Sequence, residues 1–551
     1  MIHLKAEKIN VIQEENKKLK LYPLIYDFKM LKTRDYKHFK IINTENEIIF
    51  ETENISNVIG LFDGDLVEID ATNNLKLVKR DNQKLKNIVG ILHTSSKIRQ
   101  GLDKKGHMIY IFRPINMSFP EFIVASNLNN QIKNQWCVID YLDWNEKRPR
   151  GAIVSLLGSV GDYEIEQKAL IKYHRPFTIS KKISNDEVSI IKEIHSKNYW
   201  KKGRVRVYDY TVSIDPIGCR DIDDALSLSK TSDTIYCLGI HISDLSDFIQ
   251  LGSILDKNAY NVGSTLYCGS ENIPMWPREL SDGLFSLIQG NERPTLSIFV
   301  EYDETNDTII IKNNIIKTII INNNQLDYSQ KSIYSDTNID WDILNKIVSK
   351  LRLKMGYKPC HDSHEWIETL MIHYNTVVAQ NFKDNAIYRN QSVRHDIYPE
   401  KLKFLLWESA LYSLISKGHS CLDLNKYTHA TSPIRRYADF LVQNIITNNI
   451  SISVDNIEKL NTLQKQDKKF YRDWIYLESI YNNKERIING ILLEDINNNS
   501  KINIYIEEWR CQIKINVVLE QSMRKFDCVK LEYYIDPNPI QWKKKIIFRM
   551  I

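Results

Sequence analysis

Four carboxylates lie within ten residues of one another in the stretch 215–226, at Asp215, Asp221, Asp223 and Asp224. Carboxylates this close repel one another, and the repulsion grows as they leave water. A folded site that keeps them ionised therefore needs a hard divalent cation, and Mg²⁺ with a phosphate substrate is the natural combination. The alternative is a solvated turn, which is where most Asp-rich stretches lie.

The residues on either side of this cluster favour a site over a turn. Alternating apolar residues precede the first acid and resume directly after the last one, which predicts a strand on each side. Along a regular strand Asp221 and Asp223 would share one face, and Asp224 would point to the other. The acids can converge only if the connection is irregular, and Pro216 and Gly218 have the turn chemistry for that.

Length and composition predict a multidomain globular protein. The 551 residues are enough for several domains at about 150 residues each, and 43% of them are hydrophobic. Lys and Arg number 74 against 69 Asp and Glu, so any basic surface must be local. The eight cysteines form no CxxC pair, which excludes a zinc knuckle and a dithiol redox motif.

The N-terminal residues and the apolar runs bear on cellular location. No apolar leader opens the chain, and no apolar run reaches the roughly 18 residues of a membrane span. We therefore expect an intracellular protein without a membrane partner, in the cytoplasm rather than the nucleus.

Strand and helix patterns predict an α+β multidomain fold. Short alternating runs separated by turn residues predict small OB-type β-barrels, and apolar spacings of three and four predict helices over 341–355 and 365–380. The expected segments are a lead-in at 1–22, two OB or cold-shock-like barrels at 23–85 and 86–185, a mixed α/β domain at 186–450, and a helix with a third OB-type barrel at 451–551.

Barrels of this type bind single strands by stacking bases on exposed aromatic side chains. Tyr110, Phe112 and Arg113 could do so on the second barrel. Burial inside the barrel is the alternative for the two aromatic residues, and the strand pattern favours it.

Four motifs in a fixed order give the chain a family resemblance. They occupy residues 215–226, 238–248, 263–267 and 427–439. Together they resemble the catalytic (RNB) domain of the RNase II/RNase R exoribonucleases. The Pro-x-Gly-Cys variant of the first motif, with the runs 88–92 and 157–162, looks most like the eukaryotic exosome-type branch.

This resemblance implies an architecture and an activity. Two N-terminal OB barrels would precede the RNB catalytic domain, and an OB barrel would follow it. The chain would hydrolyse single-stranded RNA from its 3′ end to nucleoside 5′-monophosphates, with Mg²⁺ or, as an alternative, Mn²⁺. We expect a monomer, and no stable attachment to an exosome, since the family's N-terminal endonuclease-type domain has no counterpart here.

The resemblance also assigns residues. The metal ligands would be Asp215, Asp221, Asp223 and Asp224. The catalytic residues would be Asp223, Arg435 and Asp221, and the alternative interpretation of Arg435 is that it forms a surface ion pair. Substrate contacts would come from Tyr267, Tyr328, Arg436 and Glu368, with core packing as the alternative for the tyrosines. His241 and Asp244 would brace the site from behind, with a purely structural role as the alternative.

Two rival functions remain at this stage. The first is an RNA-binding protein that has the barrels and the channel without hydrolysis. The second is a metal-dependent phosphatase or DNA nuclease, which three barrels suited to single strands disfavour.

One departure from the family pattern is that Gln443 and Asn444 stand where His-Arg is common.

Overall fold

The computed structural model describes residues 29–551 except 44, 71, 98–99, 129–131, 145–146, 177–180, 270, 384, 483–484, 496–499 and 518–522. The expected lead-in at 1–22 lies outside the described residues. The chain divides into two compact units, Met1–Ile165 and Glu166–Ile551. No helix in the described part of the chain has the length and apolar character needed to cross a membrane.

The first unit opens with a five-stranded antiparallel sheet in the order β3-β2-β1-β4-β5. Its strands are β1 (Lys29–Thr33), β2 (Phe39–Ile42), β3 (Ile48–Thr52), β4 (Leu66–Ile69) and β5 (Leu75–Lys79). Alternate residues such as Phe39 and Ile41 point into its core and are almost fully buried, as the period of two predicts.

A closed barrel follows in the same unit, with the strand order β10-β8-β7-β6-β9. Its strands are β6 (Ile88–Leu92), β7 (Met108–Pro114), β8 (Phe122–Ser126), β9 (Gln135–Asp143) and β10 (Arg150–Ser159). The parallel pairing of β8 with β10 closes it. In an OB barrel the first strand lies between the second and the fourth, and the third strand pairs with the fifth. Strands β6 to β10 follow this order, so the predicted barrel type is confirmed.

The aromatic residues of β7 line the core of this barrel. Tyr110 and Phe112 are 2% and 0% exposed, so neither offers a ring face to a base. Arg113 points outward and pairs with Glu121 at 2.8 Å. Stacking by the two aromatic residues is excluded, and burial, the alternative that the strand pattern favoured, is correct.

The second unit is built on a seven-stranded sheet in the order β11-β18-β17-β14-β13-β12-β19. Its seven strands are β11 (Val205–Arg206), β12 (Thr211–Asp215), β13 (Asp224–Lys230), β14 (Ile235–Ser243), β17 (Glu292–Asp303), β18 (Thr308–Ile321) and β19 (Asn324–Asp327). Between β14 and β17 in the chain, β15 (Leu266–Cys268) and β16 (Glu271–Ile273) form a separate hairpin. Each outermost strand is parallel to its neighbour, and the inner pairs are antiparallel.

Helices accompany this sheet. They are α1 (Tyr163–His174), which crosses the division between the units, α2 (Lys181–Ser196), α3 (Ile254–Val262), α4 (Gln330–Ser335), α5 (Trp341–Lys354), α6 (Ser363–Gln380) and α7 (Tyr437–Asn448). Both helices predicted at 341–355 and 365–380 are confirmed. Asp340 and Asp362 cap them by accepting backbone N–H groups of the first turn, and Trp341 stacks on Trp366 with ring centroids 5.9 Å apart.

The C-terminal region contains a two-stranded antiparallel sheet, formed by β20 (Tyr388–Asn390) and β21 (Leu411–Ser413). It also contains the 28-residue helix α8 (Val454–Tyr481) and a final sheet. That sheet has the order β24-β23-β22-β25-β26, the order of the first sheet. Its elements are β22 (Ile487–Leu492), β23 (Ser500–Ile506), β24 (Cys511–Val517), β25 (Cys528–Ile535), α9 (Trp542–Lys545) and β26 (Ile546–Met550). The predicted third OB-type domain is confirmed.

Candidate active site

The acidic cluster lies on the loop between two adjacent strands. Strand β12 ends at Asp215, β13 begins at Asp224, and the two pair antiparallel. Gly218 has a φ of +81° in this loop, a backbone conformation that glycine reaches without strain. The predicted arrangement of two strands with an irregular connection is confirmed.

Asp223 joins the cluster to the last of the four motifs. Its side chain is buried, Oδ1 accepts a hydrogen bond from the Ile434 N–H at 2.8 Å, and Oδ2 lies 3.1 Å from Arg435 Nε. Burial raises the pKa of Asp223, while the Arg435 guanidinium and the Ile434 N–H oppose that rise. The Arg435 side chain is 45% exposed, so it meets solvent as well as the carboxylate.

Asp221 joins the cluster to the third motif. The Tyr267 hydroxyl donates a hydrogen bond to Asp221 Oδ2 at 2.6 Å. The loop is fixed beside it, because the Ile222 N–H donates to Ser286 Oγ at 3.0 Å. Tyr267 remains 37% exposed, which suits a residue that meets a ligand.

The carboxyl groups of Asp215 and Asp224 are buried, and the groups around them only partly offset the cost of burying a negative charge. Asp215 Oδ2 is buried and has no hydrogen-bond partner among the described residues. Burial and the charge of Asp224 raise the pKa of Asp215 to about 7. Burial raises the pKa of Asp224 to about 6, and Arg435 opposes this shift. A buried carboxylate oxygen with no donor, beside a second acid, is an oxygen ligand of the kind that Mg²⁺ prefers.

The four acids suit a divalent cation by the type of their ligand atoms, not by their spacing. Within the described ranges, no three His, Cys, Asp or Glu side chains are arranged closely enough to hold a metal ion. The four acids nevertheless share one loop and its strand ends, and they supply only oxygen ligands. Asp215, Asp221, Asp223 and Asp224 would hold the cation.

Tyr328 lies near the same acids. Burial raises its pKa to about 12, and the charges of Asp224 and Asp215 add to the shift. Its ring stacks on His364 with centroids 3.9 Å apart and planes 10° from parallel. The sequence did not single out His364 for this contact, because it lies outside the four motifs and far along the chain from Tyr328.

A cavity of about 590 Å³ opens beside Arg435. Its lining includes Tyr267, Glu368, Asn375, Arg435, Arg436 and Tyr471. Tyr267, Arg435, Arg436 and Glu368 are thus brought to one cavity. The lining of this cavity does not include His241 or Asp244.

Two of the predicted substrate contacts already have protein partners. Arg436 Nη2 lies 2.9 Å from Asp439 Oδ1, so Arg436 orients an acid. Glu368 Oε2 lies 3.0 Å from Arg352 Nη1, and its side chain is 59% exposed. Both residues nevertheless line the cavity.

His241 and Asp244 hold the sheet rather than the acids. The His241 ring nitrogens lie 3.0 Å from Ser227 Oγ and 2.7 Å from Ser297 Oγ, on the two neighbouring strands. Asp244 pairs with Arg204 at 2.5 Å, and both side chains are fully buried. Among the contacts of the described residues, neither side chain is hydrogen-bonded to a carboxylate of the cluster.

Burial of His241 has a measurable consequence. Burial lowers the pKa of His241 to about 3, whereas histidine in an unfolded chain has a pKa of about 6.5. Below pH 6.5 only the unfolded state takes up the proton, so the free energy of unfolding should fall by about 2 kcal/mol from this residue between pH 7 and pH 5. Urea unfolding of wild type and His241→Gln at both pH values measures this. The variant should be less stable at pH 7 yet lose less on acidification, and an equal loss would contradict the assignment.

Gln443, which departs from the family pattern, supports the backbone behind Asp223. Its amide donates to the Ser243 carbonyl at 2.6 Å and accepts from the Leu245 N–H at 3.2 Å. The Ser243 N–H in turn donates to the Asp223 carbonyl at 2.8 Å. The substitution is therefore accommodated by specific hydrogen bonds.

Comparison with known proteins identifies the family. Residues 207–357 and 400–452 match the model of the RNB domain, and residues 109–175 match Dis3-like cold-shock domain 2. Ribonuclease R of Thermotoga maritima is 25% identical over 418 residues, which are 60% of this chain and 58% of that relative. The chain contains an RNB domain. It spans less than two thirds of the length of that relative.

Two solved structures share the fold of this RNB protein. Mycoplasma genitalium RNase R, in a complex with ribose-methylated single-stranded RNA, matches 95% of this chain and 100% of its own, with a TM-score of 0.71 at 17% identity. Yeast Ssd1, a pseudonuclease, matches 92% of this chain and 81% of its own, with a TM-score of 0.56 at 14% identity. Because one fold hosts a nuclease and a pseudonuclease, hydrolysis has to be argued from the site.

The sequence did not single out two residues of the cavity wall. Asp467 and Tyr471 line it, and both lie on α8, outside the four motifs. The available signal was their spacing of four on a predicted helix, which places two side chains on one face but does not say what that face contacts.

Proposed function

We propose that this RNB protein is a 3′-to-5′ exoribonuclease that hydrolyses single-stranded RNA to nucleoside 5′-monophosphates in a reaction that needs Mg²⁺. The observation that carries the proposal is the pairing of Arg435 with Asp223 beside the Tyr267–Asp221 hydrogen bond, at the edge of one cavity. It brings together a cation for phosphate, a set of oxygen ligands and an exposed aromatic ring.

Each of these groups has a role that follows from its contacts. A divalent cation, when bound, lowers the pKa of water and withdraws charge from phosphate oxygens. Arg435 would stabilise the charge that develops on the scissile phosphate, and its contact with Asp223 pre-organises the guanidinium. Tyr267 would stack on the terminal base and, through its hydroxyl, hold the RNA end in register with Asp221.

An RNA-binding protein without hydrolysis is the second candidate, because a pseudonuclease shares the fold. The residues of this chain favour the enzyme. All four acids and Arg435 are present, and the carboxylate of Asp223 faces the guanidinium. A binding protein has no need for acids whose burial is only partly compensated.

Labelled oligomers test the proposal. RNA and DNA of the same sequence, each labelled at the 5′ end, are incubated with the protein in Mg²⁺ or in chelator. We expect a ladder that shortens from the 3′ end of the RNA in Mg²⁺, no ladder in chelator, and recovery when Mg²⁺ is restored. A ladder of equal intensity in chelator would contradict the metal requirement, and a ladder on DNA alone would contradict the substrate.

A further inference from the structure

One face of α8 contacts the segment that bears Tyr267. The residues of this face are Leu463, Asp467, Tyr471 and Trp474, which are spaced by four, four and three, so they share one side of a helix. The segment they contact spans residues 263–269 and is called the tyrosine segment below.

Hydrogen bonds and close packing fix the tyrosine segment to this face. Ser264 Oγ donates to Asp467 Oδ2 at 2.5 Å, and the Tyr267 N–H donates to the Tyr471 hydroxyl oxygen at 3.3 Å. Gly263, with a φ of +79°, packs so closely that an added Cβ would lie 3.0 Å from the Leu463 side chain. Three turns of α8 therefore hold the backbone on which the Tyr267 ring is carried.

The other side of the tyrosine segment contacts the fourth motif, residues 427–439. The Thr265 N–H donates to the Arg435 carbonyl at 2.9 Å, and the Tyr437 N–H donates to the Gly263 carbonyl at 2.9 Å. The Tyr267 hydroxyl donates to Asp221. The segment thus lies between α8 and the groups proposed to act on phosphate, and a shift of α8 would move Tyr267 relative to Asp221 and Arg435.

Arg175 neutralises the charge of Asp467. Arg175 is buried, and its Nη2 lies 2.7 Å from Asp467 Oδ1 and 3.4 Å from the Ser264 carbonyl. An uncompensated carboxylate on the wall of this cavity would repel a phosphate chain. Because Arg175 compensates it, Asp467 can line the cavity and still hold Ser264.

From these contacts we propose that Asp467 and Tyr471 are positioning residues: through Ser264 and the Tyr267 backbone they fix the tyrosine that receives the RNA 3′ end. The proposal rests on the proposed function, because it takes RNA to be the ligand of the cavity. It assigns a role in RNA binding to α8, a helix that lies outside the four motifs.

Binding of a short RNA with a 3′-terminal 2-aminopurine tests this proposal, because fluorescence of that base is quenched when it stacks. The measurements use full-length protein carrying Asp223→Asn, so that hydrolysis does not interfere. Tyr471→Phe removes the acceptor for the Tyr267 N–H and leaves the ring, and Ser264→Ala removes the bond to Asp467 and leaves the Arg175 pair. Each loses one hydrogen bond, so we expect the dissociation constant to rise about two- to tenfold, with reduced quenching of the terminal base.

Asp473→Asn is the matched control. Asp473 lies on the same helix but pairs with His174 at 3.1 Å, away from the tyrosine segment. We expect its dissociation constant and quenching to equal those of the Asp223→Asn parent.

The outcomes separate the two claims. If Asp473→Asn weakens binding and quenching as much as the other two variants, general loosening of α8 explains the effect and the inference falls. If the wild type degrades RNA while Tyr471→Phe and Ser264→Ala bind as the parent does, the inference falls and the proposed function stands. If neither parent nor wild type binds RNA, the proposed function falls and the inference with it.

Discussion

Replacement of Asp223 by asparagine should abolish RNA hydrolysis while RNA binding persists. The substitution preserves size and leaves an oxygen for the Ile434 N–H, but it removes the negative charge that faces Arg435 and the proposed cation. Loss of several kcal/mol of transition-state stabilisation corresponds to a fall in kcat on the order of 10³-fold. Single-turnover hydrolysis and RNA binding, measured on the same preparation, give both quantities.

Asp233→Asn is the control for this experiment. Asp233 is exposed in the turn between β13 and β14, so the same chemical change is made in the same sheet but away from the cluster. Its kcat should match the wild type. A kcat for Asp223→Asn within tenfold of the wild type would remove Asp223 from the mechanism.

Arg435→Lys should have the second largest effect. Lysine retains the charge but loses Nε, the atom that lies 3.1 Å from Asp223, and the planar fork that matches a phosphate. We expect kcat to fall about 10²- to 10³-fold, the range found when one donor to a developing negative charge is removed. The dissociation constant for RNA should change much less, because most of the binding surface is intact.

Arg206→Lys provides the comparison for that variant. Arg206 pairs with Glu292 at the edge of the seven-stranded sheet opposite β12 and β19. Surface pairs of this kind contribute little, so its kcat should be unchanged. If Arg435→Lys behaved like Arg206→Lys, the surface ion pair considered from the sequence would be the correct interpretation of Arg435.

Local patterns were sufficient to predict the strands around the acidic cluster. The period of two identified β12 and β13, and the proline and glycine after Asp215 predicted the irregular loop. Apolar spacings of three and four predicted α5 and α6, and short alternating runs predicted three small OB-type barrels. These features depend on neighbours in sequence, which is why a single chain reveals them.

Contacts between distant segments were beyond local patterns. The approach of Arg435 to Asp223 was implied only by the family resemblance, since the two lie in different motifs. No pattern in the sequence indicated the hydrogen bond from Ser264 to Asp467 or the stacking of Tyr328 on His364. A helix pattern identifies an apolar or polar face, but the partner of that face is set by the tertiary fold.

The roles expected for His241 and Asp244 show a further limit. Both residues lie in the second motif, in or directly after β14, and it was the family resemblance that suggested a role in supporting the site. Their side chains instead satisfy buried groups of the sheet, namely the serines of neighbouring strands and Arg204. Whether a buried polar residue serves the site or the core depends on its partners.

Release of the last nucleotide tests directly whether this protein is a 3′-to-5′ exoribonuclease. An RNA oligomer labelled on the phosphate that joins its two final nucleotides is incubated with the protein and Mg²⁺, and the first labelled product is identified by chromatography. We expect a nucleoside 5′-monophosphate, released before any other fragment and not released by Asp223→Asn. A labelled oligonucleotide as the first product, or tight RNA binding with no release at all, would contradict it.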